Sequence, residues 1–252
     1  MHSSPTTSAV RVAFLVAAFA LGSPIGLAAQ GSAVMPTVEQ ILDRYVQALG
    51  GKSALEKVTS RSVKGICENP EWETKGPFEM HTKAPNKSLS ITNFADYGII
   101  QKGFNGKTGW VQDPDHGLKE IGGTSLAQLR READFYHDLR FRELYPTMKL
   151  LGKQEIGDGE AYVIEATPGE GLADKLYFDT KTGLLVRSDS QSEVDGARMT
   201  TVTLYDDYRG VDGIKVPYTI HQTNLEYGVT IKLEEVKHNL SIDDSKFDKP
   251  VK

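Results

Sequence analysis

The chain has 252 residues, 25% of them charged with both signs interspersed, a formal net charge of −5 and 39% hydrophobic residues. That balance offers no basic footprint for a nucleic acid, so an anionic polymer is excluded as the expected partner. A single cysteine, Cys67, excludes an internal disulfide and leaves stability to apolar burial; the residue reads as a small buried hydrophobe at a strand end rather than a reactive thiol.

A targeting pattern comes first along the chain. Arg11 precedes VAFLVAAFALGSPIGLAAQ, an apolar run that gives way to small residues, which is the order of a secretory signal with cleavage after Ala28, Ala29 or Ala33. Gly22, Pro24 and Gly26 interrupt the run short of the roughly 20 residues of a spanning helix. The expectation is a signal peptide over 1–33 and one exported, periplasmic domain over 34–252. No Pro/Ser-rich linker divides the remainder, and no cysteine near the cleavage region supports an acylated form.

TVEQILDRYVQALGG then predicts a helix. Thr37 and Gln40 form a capping-box pair, Ile41, Leu42, Tyr45, Val46 and Leu49 recur at helical spacing, and Gly50-Gly51 supplies the stop. A short helical piece from Ser53 to Val58, with Ser53 as its cap, leads into a first strand over Arg61–Cys67. From there the period is two. Asn105-Gly106, Asp158-Gly159, Asp195-Gly196 and Asp212-Gly213 mark tight hairpins, with Thr182-Gly183 and Tyr227-Gly228 resembling them. Hairpin after hairpin predicts a meandering antiparallel sheet with an apolar face. A helical insert interrupts it: Ser125 and Gln128 read as a second capping box, followed by a stripe of Leu126, Leu129, Ala133 and Tyr136 widened by Phe135 and Leu139. Pro146 ends the insert and MKLLGKQEI resumes the sheet.

Two stretches invite catalytic readings. GTSLA at Gly123–Ala127 resembles a nucleophile elbow but lacks the final glycine and a partner pattern of histidine and acid, so Ser125 reads as an N-cap. DPDHG at Asp113–Gly117 offers two carboxylates and an imidazole, yet no calcium-loop or zinc spacing accompanies them, and a polar turn is the reading preferred. HExxH, a phosphate loop, GxGxxG after a strand and CxxC are missing from the sequence. Neither a metal nor another cofactor is expected, and a hydrolase using Ser125 or the DPDHG carboxylates ranks last.

Lys83-Ala84-Pro85-Asn86-Lys87, then a polar strand and FNGKTGWVQDP, resembles the basic-Pro turn and "dGk.lw.y.P" segment of the periplasmic lipoprotein carriers and receptors of the LolA/LolB-like superfamily. DDSKFDKP at Asp243–Pro250 resembles that family's closing segment, and KLYFDTKTGLLVRSDS its central hairpin. The resemblance implies a mainly β fold with some α: a curved antiparallel sheet forming an incomplete barrel, with an N-terminal helix and a mid-chain helical lid over its concave face. It also implies a non-catalytic carrier that binds a lipoprotein acyl moiety or other envelope lipid under the lid, as a monomer, between an inner-membrane donor complex and an outer-membrane acceptor. A sensor or interaction module of the same fold with a filled core is the alternative. The lid-latching arginine of the carriers is replaced by Ala84. The candidate lipid-binding residues are the apolar members of alternating strands, Phe78, Met80, Leu89, Ile91, Ile100, Phe104, Trp110, Leu176, Phe178, Val202, Leu204, Val229, Ile231 and Leu233. Leu126, Leu129, Ala133, Phe135 and Tyr136 join them from the lid. A one-residue slip in strand facing would invert any of the strand assignments.

Overall fold

Thirteen strands join into a single antiparallel sheet in a computed structural model that describes residues 35–194, 197–225 and 228–251. The expected signal peptide over 1–33, the Asp195-Gly196 turn and Tyr227 of the Tyr227-Gly228 turn lie outside the described residues. In chain order the strands are β1 (Ser60–Asn69), β2 (Thr74–Lys83), β3 (Lys87–Phe94), β4 (Gly98–Phe104), β5 (Gly109–Asp113), β6 (Gly117–Ile121), β7 (Thr147–Ile156), β8 (Gly159–Thr167), β9 (Asp174–Asp179), β10 (Leu185–Val194), β11 (Ala197–Val211), β12 (Ile214–Thr223) and β13 (Gly228–His238). Four α-helices accompany them among the described residues: α1 (Val38–Leu49), α2 (Lys52–Glu56), α3 (Gly123–Glu132) and α4 (Phe141–Leu144).

The spatial order is β6-β5-β4-β3-β2-β1-β13-β12-β11-β10-β9-β8-β7. Chain neighbours therefore pair everywhere except between β6 and β7, and the one long-range pairing, β1 with β13, joins the two ends of the meander at its middle. β6 and β7 are left as the two edges, so the sheet is an open barrel and the segment that runs from one edge to the other is the helical insert, residues 122–146. The mainly β fold expected from the sequence, with its N-terminal helix and mid-chain insert, is the fold observed.

Local chemistry explains the first helix. Thr37 Oγ1 accepts from the Gln40 N–H at 3.3 Å while Gln40 Oε1 accepts from the Thr37 N–H at 2.9 Å, closing the expected capping box. Gly50 ends the helix at φ 127°, where a side chain would also collide with the Gly213 carbonyl. Two other caps differ from expectation. Helix α2 begins at Lys52 with Gly51 as its N-cap, so Ser53 caps nothing. Helix α3 begins at Gly123 with Gly122 as its N-cap, which places Ser125 inside the first turn, and Gln128 donates instead to Glu132 at 2.8 Å. In both places glycine supplies the extended or left-handed backbone at the helix start, and no serine hydroxyl is needed.

Among the turns, Asp212-Gly213 and Asn105-Gly106 sit where the sequence places them, and Asn105 Oδ1 accepts from the N–H groups of Lys107 and Thr108. The β7–β8 turn is shifted by one residue: its loop is Gly157-Asp158, with Gly157 at φ 56°.

Cross-strand partners share a face, and this assigns the two sides of the sheet. Val63, Cys67, Phe78, Leu176, Phe178 and Leu233 lie on the inner, helix-covered face and form its core with Ile41, Leu42, Tyr45 and Leu49 of α1. Burial there pushes the Cys67 thiol up to about 11, with the nearby Glu68 adding to it, consistent with a packing role for the cysteine. The outer face has its own cover. The C-terminal segment folds over β3 and β5, burying Phe247 and Ile242 against Leu89 and Trp110. Trp110 donates its indole N–H to the Phe247 carbonyl at 3.2 Å, and Lys83 and Lys87 both reach Asp244 at 2.7 Å.

Candidate functional site

Helix α1 and the lid occupy different parts of the inner face. Tyr45 of α1 stacks edge-on against Phe178, 5.2 Å between centroids, and tilts against Phe141 of α4 at 5.9 Å, so this half is a filled aromatic core. Farther along, α3 packs on β5 and β10. It places Leu126, Leu129 and Ala133 over Phe104 and Ile121. Gly109 makes this approach possible, since a Cβ there would stand 2.7 Å from Leu129 Cδ2 and 3.1 Å from Leu126 Cδ1. After the helix, the Phe135 N–H donates to the Pro85 carbonyl at 2.9 Å. The lid is thus tied by main chain beside Ala84, the position where the resemblance places an arginine.

Between the lid and the inner face a cavity of about 590 Å³ remains. Its apolar lining comes from Met80, Ala133, Phe135, Leu176 and Leu185. The rest is polar and includes Ser188, Thr203 and Tyr205 from β10 and β11, Arg61 from β1, Lys102 from β4, and Arg131, His137, Asp138 and Tyr145 from the insert. Asp174 also lines it and is 3% exposed. It accepts from Tyr145 Oη at 2.9 Å and from the Gln191 N–H at 3.0 Å, with Arg131 at 3.9 Å. Burial nevertheless raises its pKa above the usual carboxylate value, because those donors only partly replace water. Arg131 donates to the Glu170 carbonyl at 2.8 Å, while its buried Nε has no acceptor. Glu132 shows the opposite balance: burial opposes ionisation, yet Lys102 at 3.3 Å and Gln128 hold it below its ordinary range.

Of the residues named from sequence, Met80, Ala133, Phe135 and Leu176 meet around this cavity. Phe78, Ile100, Phe178, Val229, Ile231 and Leu233 share the inner face but belong to its packed core. Phe104, Leu126 and Leu129 form the separate cluster under α3. Tyr136 faces an outer groove between the insert and α1, whose lining is dominated by charged side chains. The remaining five point the other way. Leu89 and Ile91 pair with His81 and Glu79, and Trp110 with Gly103, which sets them on the outer face under Phe247. On β11 the residues turned to the cavity are Thr201, Thr203 and Tyr205, so Val202 and Leu204 face outward, Leu204 being 37% exposed. On β3 and β11 the alternation is as the sequence shows it, but serine, threonine and tyrosine take the inner positions and the apolar residues the outer ones.

The DPDHG stretch resolves into turn chemistry. Asp113 Oδ1 accepts from the N–H groups of Asp115 and His116 at 3.0 and 2.7 Å, and Tyr97 Oη donates to Asp115 at 2.6 Å, so DPDHG is the polar β5–β6 turn. Among the described residues no three His, Cys, Asp or Glu side chains gather as a metal site, and no helix is long and apolar enough to cross a membrane.

No family model and no curated protein sequence matches the chain. Solved structures do. A LolA superfamily protein from Nitrosomonas europaea superposes with a TM-score of 0.57 at 17% identity, covering 85% of this chain and 99% of that one. A DUF1329 family protein from Desulfovibrio piger gives 0.57 at 14% identity, covering 85% and 98%. A domain from Vibrio parahaemolyticus named for outer membrane lipoprotein sorting gives 0.56 at 12%, covering 84% and 98%. With its edges unpaired, its inner face under helices and these structures matching along nearly their whole length, the chain has the open-barrel fold of the LolA superfamily.

Proposed function

We propose that this protein is a non-catalytic carrier of the periplasm that holds an envelope lipid, or the acyl moiety of a lipoprotein, beneath its helical lid. The observation that carries this reading is the cavity of about 590 Å³ between the insert and the inner face, a size within the range of about 300–1,000 Å³ typical of small-molecule sites. Its mixed walls suit an amphiphile: Met80, Phe135 and Leu176 would take a chain, and the hydroxyl and charged residues a headgroup. The structural likeness to a lipoprotein-sorting domain supports a carrier, which would work between an inner-membrane donor complex and an outer-membrane acceptor.

A second reading, an envelope sensor or interaction module, draws on the filled core under α1. Native mass spectrometry of protein recovered from its own compartment separates the two. The carrier should retain a lipid whose mass adds to that of the polypeptide; polypeptide mass alone, with no uptake of added lipid, would overturn the proposal.

A further inference from the structure

Strand register sets two polar side chains next to each other under the lid. Arg61 of β1 lies directly across from Thr82 of β2 on one side and from His238 of β13 on the other. Two residues farther along, Val63 and Met80 form the next cross-strand pair on the same side and pack into the inner core. Side chains alternate along a strand, so Arg61 and Thr82 point to the inner face as well, and both line the cavity. Directly opposed residues have Cβ atoms about 4.5–5.5 Å apart, which lets one small group touch both side chains.

The other charges of the lining have partners of their own. Glu132 pairs with Lys102 at 3.3 Å and Asp134 with Arg140. Asp138 has His137 at 3.9 Å and the Tyr45 hydroxyl at 2.8 Å, and Asp174 has Arg131 at 3.9 Å and the Tyr145 hydroxyl at 2.9 Å. Arg61 differs. Among the described residues it makes no ion pair, and its one side-chain hydrogen bond runs from Nε to His238 Nε2 at 3.1 Å. That bond requires an unprotonated imidazole nitrogen, and Asp212, 3.1 Å from Nδ1, selects the matching tautomer. The His238 side chain is 1% exposed, and burial together with Arg61 holds its pKa below the ordinary imidazole value. A neutral, buried acceptor therefore fixes the inner nitrogen of the guanidinium and leaves its two terminal amino groups as donors. The Thr82 hydroxyl likewise makes no hydrogen bond among the described residues.

A guanidinium is permanently charged, and its parallel N–H groups match the paired oxygens of a phosphate or carboxylate. A cation under a lid without a counter-charge is costly until an anion reaches it. We propose that Arg61 and Thr82 together bind the anionic headgroup, phosphate or carboxylate, of the lipid carried under the lid. The terminal amino groups of Arg61 and the Thr82 hydroxyl donate to the headgroup oxygens, and the chain runs past Met80. This rests on the carrier reading above and adds the chemistry of the cargo.

The test is isothermal titration calorimetry with three ligands that share one chain: lauroyl lysophosphatidic acid, laurate and monolauroylglycerol, each at neutral pH and below its critical micelle concentration. The wild-type protein should bind at least one of the two anionic ligands about tenfold more tightly than the neutral one, the scale of a hydrogen bond to a charged group. A lead of lysophosphatidic acid assigns the head as a phosphate, and a lead of laurate as a carboxylate. Arg61→Gln should erase the anionic advantage while binding monolauroylglycerol as before. Thr82→Val keeps the β-branched shape, removes only the hydroxyl and should reduce the advantage about threefold. Circular dichroism monitors folding, and should Arg61→Gln fail to fold, Thr82→Val decides. Monolauroylglycerol bound as tightly as both anions, or an anionic advantage unchanged in the folded variant, overturns the headgroup assignment and leaves the carrier reading standing. Binding of none of the three overturns both.

Discussion

Tyr45 of the N-terminal helix donates its hydroxyl to the Asp138 carboxylate of the insert at 2.8 Å, so the element that fills one half of the inner face also holds the lid over the other half. Tyr45→Phe keeps the ring contacts with Phe141 and Phe178 and removes only this donor. Hydrogen bonds to charged groups contribute about 1.5–3 kcal/mol, and a loss of that size should appear in urea denaturation with an unchanged m-value. Amide exchange in residues 134–145 should rise before exchange in the sheet does; protection unchanged there would mean that the bond does not restrain the lid.

Leu129 tests whether the lid opens. It is 4% exposed and packs on Phe104 and Ala133. Leu129→Asp places a charge in that contact, where even truncation of a buried leucine costs about 2–5 kcal/mol. The expected result is a folded sheet by circular dichroism with a loosened α3 and increased binding of an apolar fluorescent probe. Unchanged probe binding in a folded variant would count against a gated cavity.

Asp174 makes a pH-dependent prediction. Burial raises its folded-state pKa above the ordinary value of 3.8, with the Gln191 N–H, Tyr145 and Arg131 offsetting part of the effect. The folded protein then binds more protons than the unfolded chain between 3.8 and that raised value, so this group's contribution to stability falls as pH rises through the window. Tyr145 and the Gln191 N–H bond different oxygens of the carboxylate, so Asp174→Asn keeps an acceptor for only one of them, a cost that does not depend on pH, and it does not titrate. Its stability relative to the wild-type protein should therefore increase from pH 4 toward neutrality, measured by paired denaturant titrations; a difference independent of pH would exclude Asp174 as the titrating group.

Phe247 reports on the outer face. It is fully buried against Trp110, which is 1% exposed, whereas Trp72 is 49% exposed. Phe247→Ala should cost about 3–5 kcal/mol, the usual range for a buried phenylalanine. It should also shift tryptophan emission to the red as water reaches the Trp110 indole. An unshifted spectrum would show that the C-terminal segment does not shield it.

Local signals were enough for the parts of the fold that depend on neighbouring residues. The Thr37–Gln40 capping box, the glycine stop at Gly50 and the Asp212-Gly213 turn each satisfy backbone groups within a few residues, so they can be read before any tertiary contact exists. The meander was legible for the same reason, since antiparallel neighbours joined by short turns need little beyond turn chemistry and alternation. The caps of α2 and α3 were misread because serine and glycine compete for one role, and backbone geometry decided for glycine.

The sequence by itself determined an antiparallel meander, a capped N-terminal helix and a helical insert, because these follow from periods and turns. Tertiary structure alone decided which side of each strand faces the cavity. Alternation separates two faces but does not say which is covered, and here both are: Leu89 and Trp110 pack under Phe247 while Phe78 packs on the inner face. The same holds for the site. The cavity's lining comes from distant strands such as β1, β2 and β9 and from the insert, and its convergence is a property of three-dimensional surroundings that no local pattern encodes.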